Sequence, residues 1–421
     1  MKISQVIGRE IFDSRGFPTI ECELALELNS GQHLSVRASV PAGKSSGKYE
    51  ALELRDEKRL FSKGVLEAIR NLENEIGPAI IGKEPDVVSM DIAMLNIDGT
   101  DNKSKLGANA ILAASLAILR AQAIAHELEP YELIASLCNF DTVSIPIPMF
   151  NFINGGCHAN NSLDIQEFMV VPTGQTTFRA AMESAAIIFH NTQSLILEKG
   201  LRLCVGDEGG FAPNLKNEKE ALDLLVEAIE KSKNIDGGFV IALDVAASEL
   251  YNPKTKKYSL SGKDYSSDEL AHYYEELISQ YPIMYIEDPF DQDDWQGWQS
   301  FTATYSENIQ IAGDDLFATN PERIVKGVEQ MTANTAIIKP NQIGTVTETL
   351  QAAMTCKEYG IDTVVSHRSG ETNDNIIVDI AMGTQSGQIK AGGLSRGERL
   401  AKYNRLLRIE DKLTMQALNG G

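Results

Sequence analysis

The sequence predicts an α/β protein: a (β/α)8 barrel over residues 138–421, preceded by an α+β domain over 1–137 that carries a lid loop. Three observations predict it. Residues 20–40 alternate apolar and polar in two runs joined by a turn, the pattern of an antiparallel hairpin with one buried face. Beyond residue 144, short apolar runs alternate with amphipathic helical stretches, which implies βα units and a parallel sheet. Six of those runs stop at charged residues, as expected where barrel strands reach the mouth that holds the active site.

In the hairpin, Ile20, Cys22, Leu24, Leu26 and Leu28 share one parity and Glu21, Glu23 and Glu27 the other. A turn at Asn29-Ser30-Gly31 leads to Leu34, Val36, Ala38 and Val40. An alanine-rich helix follows over about 106–128, closed off by Pro130. "SIPIPMFN" (144–151) reads as a connector running into a strand. A helix over about 218–232 puts Leu222, Leu225, Val226 and Ile229 on one face, with Asn217 and Glu220 as its capping signal. Another starts at Thr319-Asn320-Pro321, with proline in the first turn.

The six runs end at Asp244, at Glu287-Asp288, at Asp314-Asp315, at Lys339, at His367-Arg368-Ser369 and at Lys390. The later spacings suit one βα unit each. The gap after Asp244 is longer, and "NPKTKKYSLSGKDYSSDE" supplies an insertion there. One strand ending in a charge is commonplace. Six in register, three carboxylates and then three cations, point to a common mouth.

The formal net charge of −21 argues against a nucleic-acid face and against anionic membrane surfaces. Any anion site must then be locally positive or hold metal ions. The cysteines, Cys22, Cys138, Cys157, Cys204 and Cys356, are odd in number and scattered, with no CxxC pair; reduced thiols in a cytoplasmic protein are expected. The N-terminus has no apolar signal-peptide core, and no apolar run is read as a transmembrane helix.

Asp244, Glu287 and Asp314 are hard oxygen donors whose mutual repulsion calls for a cation, and Mg2+ fits, with Mn2+ as a substitute. Lys339 is a poor base at its ordinary pKa, but metal, Lys390 and Arg368 nearby would depress it. A lysine base beside metal suits proton abstraction next to a carboxylate, a pattern already described for the enolase superfamily. Two further clusters are "NGGCHANNSLDIQEFM", with His158, Gln166 and Glu167, and "VGDEGGFAPN", with Glu208 on a glycine-rich turn. Glu167 and Glu208 together can retain a proton for general-acid work. Each cluster alone is weak: a lone histidine is more often structural, and GDEGG can be only a turn. "VPAGKSSGKYE" (40–50) lacks the glycine a P-loop needs, having Ala38 at that position. A mobile Gly/Ser lid is the better reading, with a plain solvated loop as the alternative.

These residues resemble the enolase family. The resemblance covers almost the whole chain, through "GREIFDSRGFPTIE", "DGTDNKSKLGANAILAASLA", "IEDPFDQDDW", "GDDLFATNP", "IKPNQIGTVTET", "SHRSGET" and "RLAKYNRLLRIE" besides the two clusters above. It implies an enolase-type barrel and the reversible dehydration of 2-phosphoglycerate with two Mg2+. Carried over by position, Asp244, Glu287 and Asp314 hold the first metal and Ser45 meets the second. Lys339 is the base, and Glu208, supported by Glu167, protonates the departing hydroxyl. Arg368 and Ser369 hold the phosphate, Lys390 faces the carboxylate, and His158 and Gln166 complete the closed site. The family also implies a homodimer, with octamers among its members. The lid departs from the family pattern, reading Pro-Ala-Gly-Lys-Ser-Ser-Gly with Ala42 and Lys44, and Cys157 is unusual before His158. Two alternatives stand beside this reading. One is a sugar-acid dehydratase or racemase of the same superfamily, which would not need the phosphate-site residues. The other is an additional binding role, at the cell surface or in an RNA-processing assembly.

Overall fold

A computed structural model describes residues 1–28, 30–44, 47–232 and 237–419. The N-terminal domain opens with three antiparallel strands in the order β1 (Lys2–Phe12), β2 (Pro18–Glu27) and β3 (His33–Ser39). The β2–β3 register pairs Glu21 with Ser39 and Leu26 with Leu34, which buries the expected apolar parity. Asn29, in the expected turn, lies outside the described residues. Strand β1 escaped the sequence pattern. It is an edge strand with an irregularity between Ile3 and Gln5, and such a slip moves side chains from one face to the other.

The alanine-rich helix, Ala108–Ala125, packs its small side chains against β2 and β3. By length and composition it could cross a membrane, contrary to the expectation that no such segment exists, but 83% of it is buried inside the protein. Its apolar character serves the domain core. Pro130 does not close this helix; it begins the next one, Pro130–Leu137, whose capping box is formed by Glu129 and Glu132. Proline is well placed there, because the first helical N–H has no partner to lose.

The second domain is a closed barrel. Its strands are β4 (Ile147–Asn154), β5 (Glu167–Pro172) and β6 (Phe239–Asp244). The insertion after β6 forms a separate small sheet of β7 (Tyr251–Asn252), β8 (Lys257–Leu260) and β9 (Lys263–Tyr265). The barrel then continues through β10 (Ile283–Glu287), β11 (Gln310–Gly313), β12 (Thr335–Ile338), β13 (Asp362–Ser366) and β14 (Gln388–Lys390), which closes on β4. Its interior is filled by side chains that include Met149, Met169, Tyr285, Ile337 and Val364.

The barrel is not wholly parallel. Strand β5 runs antiparallel to both β4 and β6. The link from β4 to β5 contains only the short turn Gly156–His158, and a parallel return needs a crossover long enough to pass the sheet. Two helices, Phe178–Glu198 and Glu218–Lys231, then follow with no barrel strand between them. The consequence is positional: β5 brings its first residue, Glu167, to the mouth, paired in register with Asp244 at the end of β6.

The two domains are knitted together through the segment after β13. Arg120 forks onto Asp374 with two contacts of 2.7 Å, and Asp374 also accepts Ser39 N–H at 3.0 Å. Burial would raise the Asp374 pKa, but Arg120 outweighs it and holds the carboxyl below its ordinary value. Replacing Arg120 with Met is expected to cost about 3 kcal/mol at neutral pH, because it strands a buried carboxylate. Since the folded pKa is lowered, the pair's contribution is present above the ordinary aspartate range and is lost as pH falls through the folded value. Urea unfolding of both proteins at pH 7 and pH 3 should therefore show a large gap that is smaller in acid.

Candidate active site

The site forms where the C-terminal strand ends converge. Asp244, Glu287 and Lys390 are the last residues of β6, β10 and β14. Asp314, Lys339 and the His367-Arg368-Ser369 run directly follow β11, β12 and β13. All of these side chains are buried. One cavity is lined by His158, Gln166, Glu167, Glu208, Asp244, Asp314, Lys339, Arg368, Ser369 and Lys390, together with Gly43 and Lys44 from the loop after β3. Every site residue the sequence nominated lies in this wall except two. Glu287 sits beneath it, bound to Lys390 and to the Tyr285 hydroxyl at 3.0 Å. Ser45 lies outside the described residues.

The floor is a charge cluster. Lys390 Nζ lies 2.7 Å from Asp244 Oδ2, 3.0 Å from Glu287 Oε1 and 3.0 Å from Glu167 Oε1. Lys339 Nζ binds Asp314 Oδ2, and Gln342 donates to Asp314 Oδ1 at 2.8 Å. Asp244, Glu287 and Asp314 are therefore held on two different ammonium groups, and their ligand atoms do not form one compact triad. Two other acidic groups do: Asp288, Asp314 and Asp315, and His158, Glu167 and Glu208, each within 4.8 Å of one another. Asp288 has the uncommon φ of 43° for a residue with a side chain, and it accepts the backbone N–H groups of Asp314 and Asp315, both at 2.9 Å.

Carboxyl groups outnumber cations here, and burial and mutual repulsion raise several of them. Burial, followed by Asp244, pushes Glu287 up to about 8. Burial, followed by Asp314, pushes Asp315 up to about 8. Such crowding is relieved by a divalent ion with oxygen preference, so the donor set fits Mg2+. Lys339 differs from expectation. Burial lowers its pKa, but Asp314 more than reverses this, and the ammonium is held above its ordinary value.

The acid pair adjoins this cluster through Glu167. Asn151 Nδ2 donates to Glu167 Oε2 at 3.0 Å and to Glu208 Oε2 at 3.1 Å. Burial and the neighbouring Glu208 push Glu167 well above the usual carboxylate range. Burial also acts on Glu208, but His158, 3.3 Å away, outweighs it and holds Glu208 well below. The pair thus retains one proton, as its closeness suggested, but seats it on Glu167. His158 is raised to about 10: burial opposes its charge, and Glu208 overcomes the burial.

His367, whose role the sequence left open, faces Glu208 with Nε2 at 3.8 Å, while its Nδ1 receives Arg399 Nη1 at 2.6 Å. A guanidinium only donates, so Nδ1 carries no proton and Nε2–H points at the acid pair. Arg368 forks onto Glu50 at 2.9 and 3.0 Å and reaches Asn341 Oδ1 at 3.1 Å. Asn151 and Arg399 were missed because each lies in a segment that reads as structural, an apolar strand and a helix; Glu50 ends the stretch read as a lid, in which only Ser45 received a role.

A (β/α)8-type barrel whose mouth gathers a buried lysine, a proton-retaining carboxyl pair and a cluster of further carboxyls defines a class: barrel proteins with an acid–base site at the C-terminal strand ends. The family comparison narrows it. Residues 142–421 match the family described as "Enolase, C-terminal TIM barrel domain", and residues 3–134 match "Enolase, N-terminal domain". The chain belongs to the enolase family. Replacing Asn151 with Ala removes the donor shared by two buried carboxyls. A loss of about 2 kcal/mol in urea unfolding at neutral pH is expected, the cost of stranding buried acceptors.

Proposed function

We propose that the protein is a Mg2+-dependent hydro-lyase that interconverts 2-phosphoglycerate and phosphoenolpyruvate plus water. The observation that supports this reading is that Lys339 and the Glu167–Glu208 pair line one cavity, the lysine held on Asp314 and the pair holding a proton. Dehydration needs a base on one side of the substrate and an acid on the other. Lys339 Nζ takes the proton from the carbon beside the carboxylate. The acid pair returns a proton to the hydroxyl on the next carbon, which leaves as water while the double bond forms.

Asp244, Glu287 and Asp314 would hold the metal, which supplies charge stabilisation at the substrate carboxylate when bound. Drawing Asp314 away from Lys339 would also withdraw the group that keeps this lysine charged. Glu167 enters the reaction with a proton, and the Asn151 bridge places Glu208 within the same network. His367 turns its Nε2–H toward Glu208 at 3.8 Å, beyond hydrogen-bond distance, where the imidazole adds an N–H dipole facing that carboxylate. Arg368 and Ser369 meet the phosphate; a guanidinium and a hydroxyl at a buried strand end suit its oxygens. This phosphate site favours the phosphorylated substrate over the sugar acids of related enzymes.

The test is absorbance of the enol phosphate formed from 2-phosphoglycerate. Turnover with Mg2+, abolished by chelator and restored by added metal, is expected. Lys339→Ala should lower kcat by at least about 1,000-fold, in the range for loss of a general base. Folded wild-type protein that binds Mg2+ but never turns over this substrate would refute the reading.

A further inference from the structure

We propose that Arg15 is a positioning residue for anion binding: it fixes the Ser369 hydroxyl as a donor-only group facing the cavity. The inference rests on the phosphate-site reading of Arg368 and Ser369 given above.

Arg15 lies in the turn between β1 and β2, remote in sequence from every other residue of the site. The turn is tightly built. Asp13 N–H donates to Phe17 O at 2.8 Å, Gly16 N–H donates to Asp13 O at 2.9 Å, and Gly16 takes a φ of 75°. Asp13 Oδ1 accepts the N–H groups of Arg15 and Phe17 at 2.8 and 2.9 Å. This brace aims the Arg15 side chain, which is only 11% exposed, into the seam between the domains.

There its two terminal nitrogens do different work. Nη2 donates to the carbonyls of Ala42 and Gly43, both at 3.1 Å. Nη1 donates to Ser369 Oγ at 3.3 Å, and the backbone N–H of Lys44 donates to the same oxygen at 2.9 Å. The surrounding backbone is locked as well: Ala42 and Gly370 exchange hydrogen bonds of 2.8 and 2.9 Å. A Cβ on Gly370 would lie 2.6 Å from Arg15 Nη2 and 2.7 Å from Ala42 O, so glycine is what lets these parts meet.

The chemistry follows from counting. A hydroxyl has two acceptor positions and one hydrogen. Both acceptor positions of Ser369 are filled by groups that can only donate, a guanidinium and a backbone amide. Ser369 can then act toward a ligand only through its hydrogen. That suits a phosphoryl oxygen, which only accepts when ionised, and disfavours a ligand hydroxyl or amide that needs an acceptor. Arg15 thereby contributes to phosphate selection without touching the phosphate. It also joins the loop at 42–44 to the same serine, so the loop backbone and the donor are set together.

The test is a double-mutant cycle with Arg15→Met, Ser369→Ala and the pair. Two readouts are used: KM and kcat with 2-phosphoglycerate, and the affinity for inorganic phosphate by calorimetry. Arg15→Met is expected to weaken phosphate binding and raise KM about 10- to 30-fold, the range for a lost hydrogen bond to a charged group, with a smaller change in kcat. In the Ser369→Ala background the effect of Arg15→Met should shrink at least about fivefold, because coupled residues are not additive. Arg15→Lys, which cannot span both carbonyls and the serine, should restore only part of the affinity; it carries the same cycle if Arg15→Met does not fold. An equal effect of the Arg15 change in both backgrounds, or unchanged phosphate affinity, would overturn the proposal. A wild-type protein that binds phosphate but lacks turnover would sink the proposed function alone, and the phosphate cycle would still decide the role of Arg15.

Discussion

The Lys390 ammonium is the interaction on which the barrel mouth depends. It joins the ends of β5, β6 and β10 through Glu167, Asp244 and Glu287. Three buried carboxylates facing one another would carry a large desolvation and repulsion cost. A lysine delivered by β14, the strand that closes the barrel, offsets that cost from within the fold. Burial lowers the Lys390 pKa, yet Asp244, Glu167 and Glu287 together raise it well above the ordinary value. The site is thus assembled by charge compensation between strands that are distant in sequence, and the apolar barrel interior below supplies the rigidity.

Compensation is incomplete, and the incompleteness has a direction. Glu287 and Asp315 remain raised, so carboxyl groups exceed the cations that could keep them ionised at the ends of β10 and β11. Next to them, Glu208 is held ionised by His158 and Glu167 keeps the proton. One half of the mouth is suited to receive a cation and the other to hold a proton. Lys339, tied to Asp314, is the group whose charge state depends on what Asp314 engages. Under the proposed function, Lys339 on Asp314 and Glu208 on His158 are the base and the acid side of one cavity, each paired with a different partner.

Much of this was legible in the sequence, and the part that was not has physical reasons. Run endings at Asp244, Glu287, Lys339 and Lys390 were readable because a buried strand that stops at a charge must stop where that charge finds partners. The direction of β5 was not readable. Alternation and apolar content report which face is buried, not which way a strand runs, and only the lack of a crossover helix between β4 and β5 separates the two cases. Asn151 was hidden inside "PMFNFIN", where a polar residue in an apolar run looks like a flaw in a strand pattern. In the fold it is the donor shared by the acid pair. The pairing of Lys339 with Asp314 was also beyond sequence reasoning, which assigned those residues to separate roles.

The antiparallel strand connects these points. In an all-parallel barrel, Glu167 as the first residue of its strand would open at the end opposite to Asp244. Reversal of β5 puts it level with Asp244, and it leaves the linker 155–166 at the mouth, where His158 and Gln166 line the cavity. Gln166 Nε2 then reaches Asp244 Oδ2 at 3.2 Å, and Cys157 Sγ meets Gln166 Oε1 at 3.0 Å. A single change of strand direction therefore delivers the proton-holding carboxyl, the histidine that sets its neighbour's charge and the amide that steadies Asp244. The N-terminal domain completes the enclosure from the other side, through Glu50 on Arg368 and Arg15 on Ser369. Neither domain builds the cavity alone: the barrel supplies the charges, and the first domain fixes how the strand end after β13 presents them.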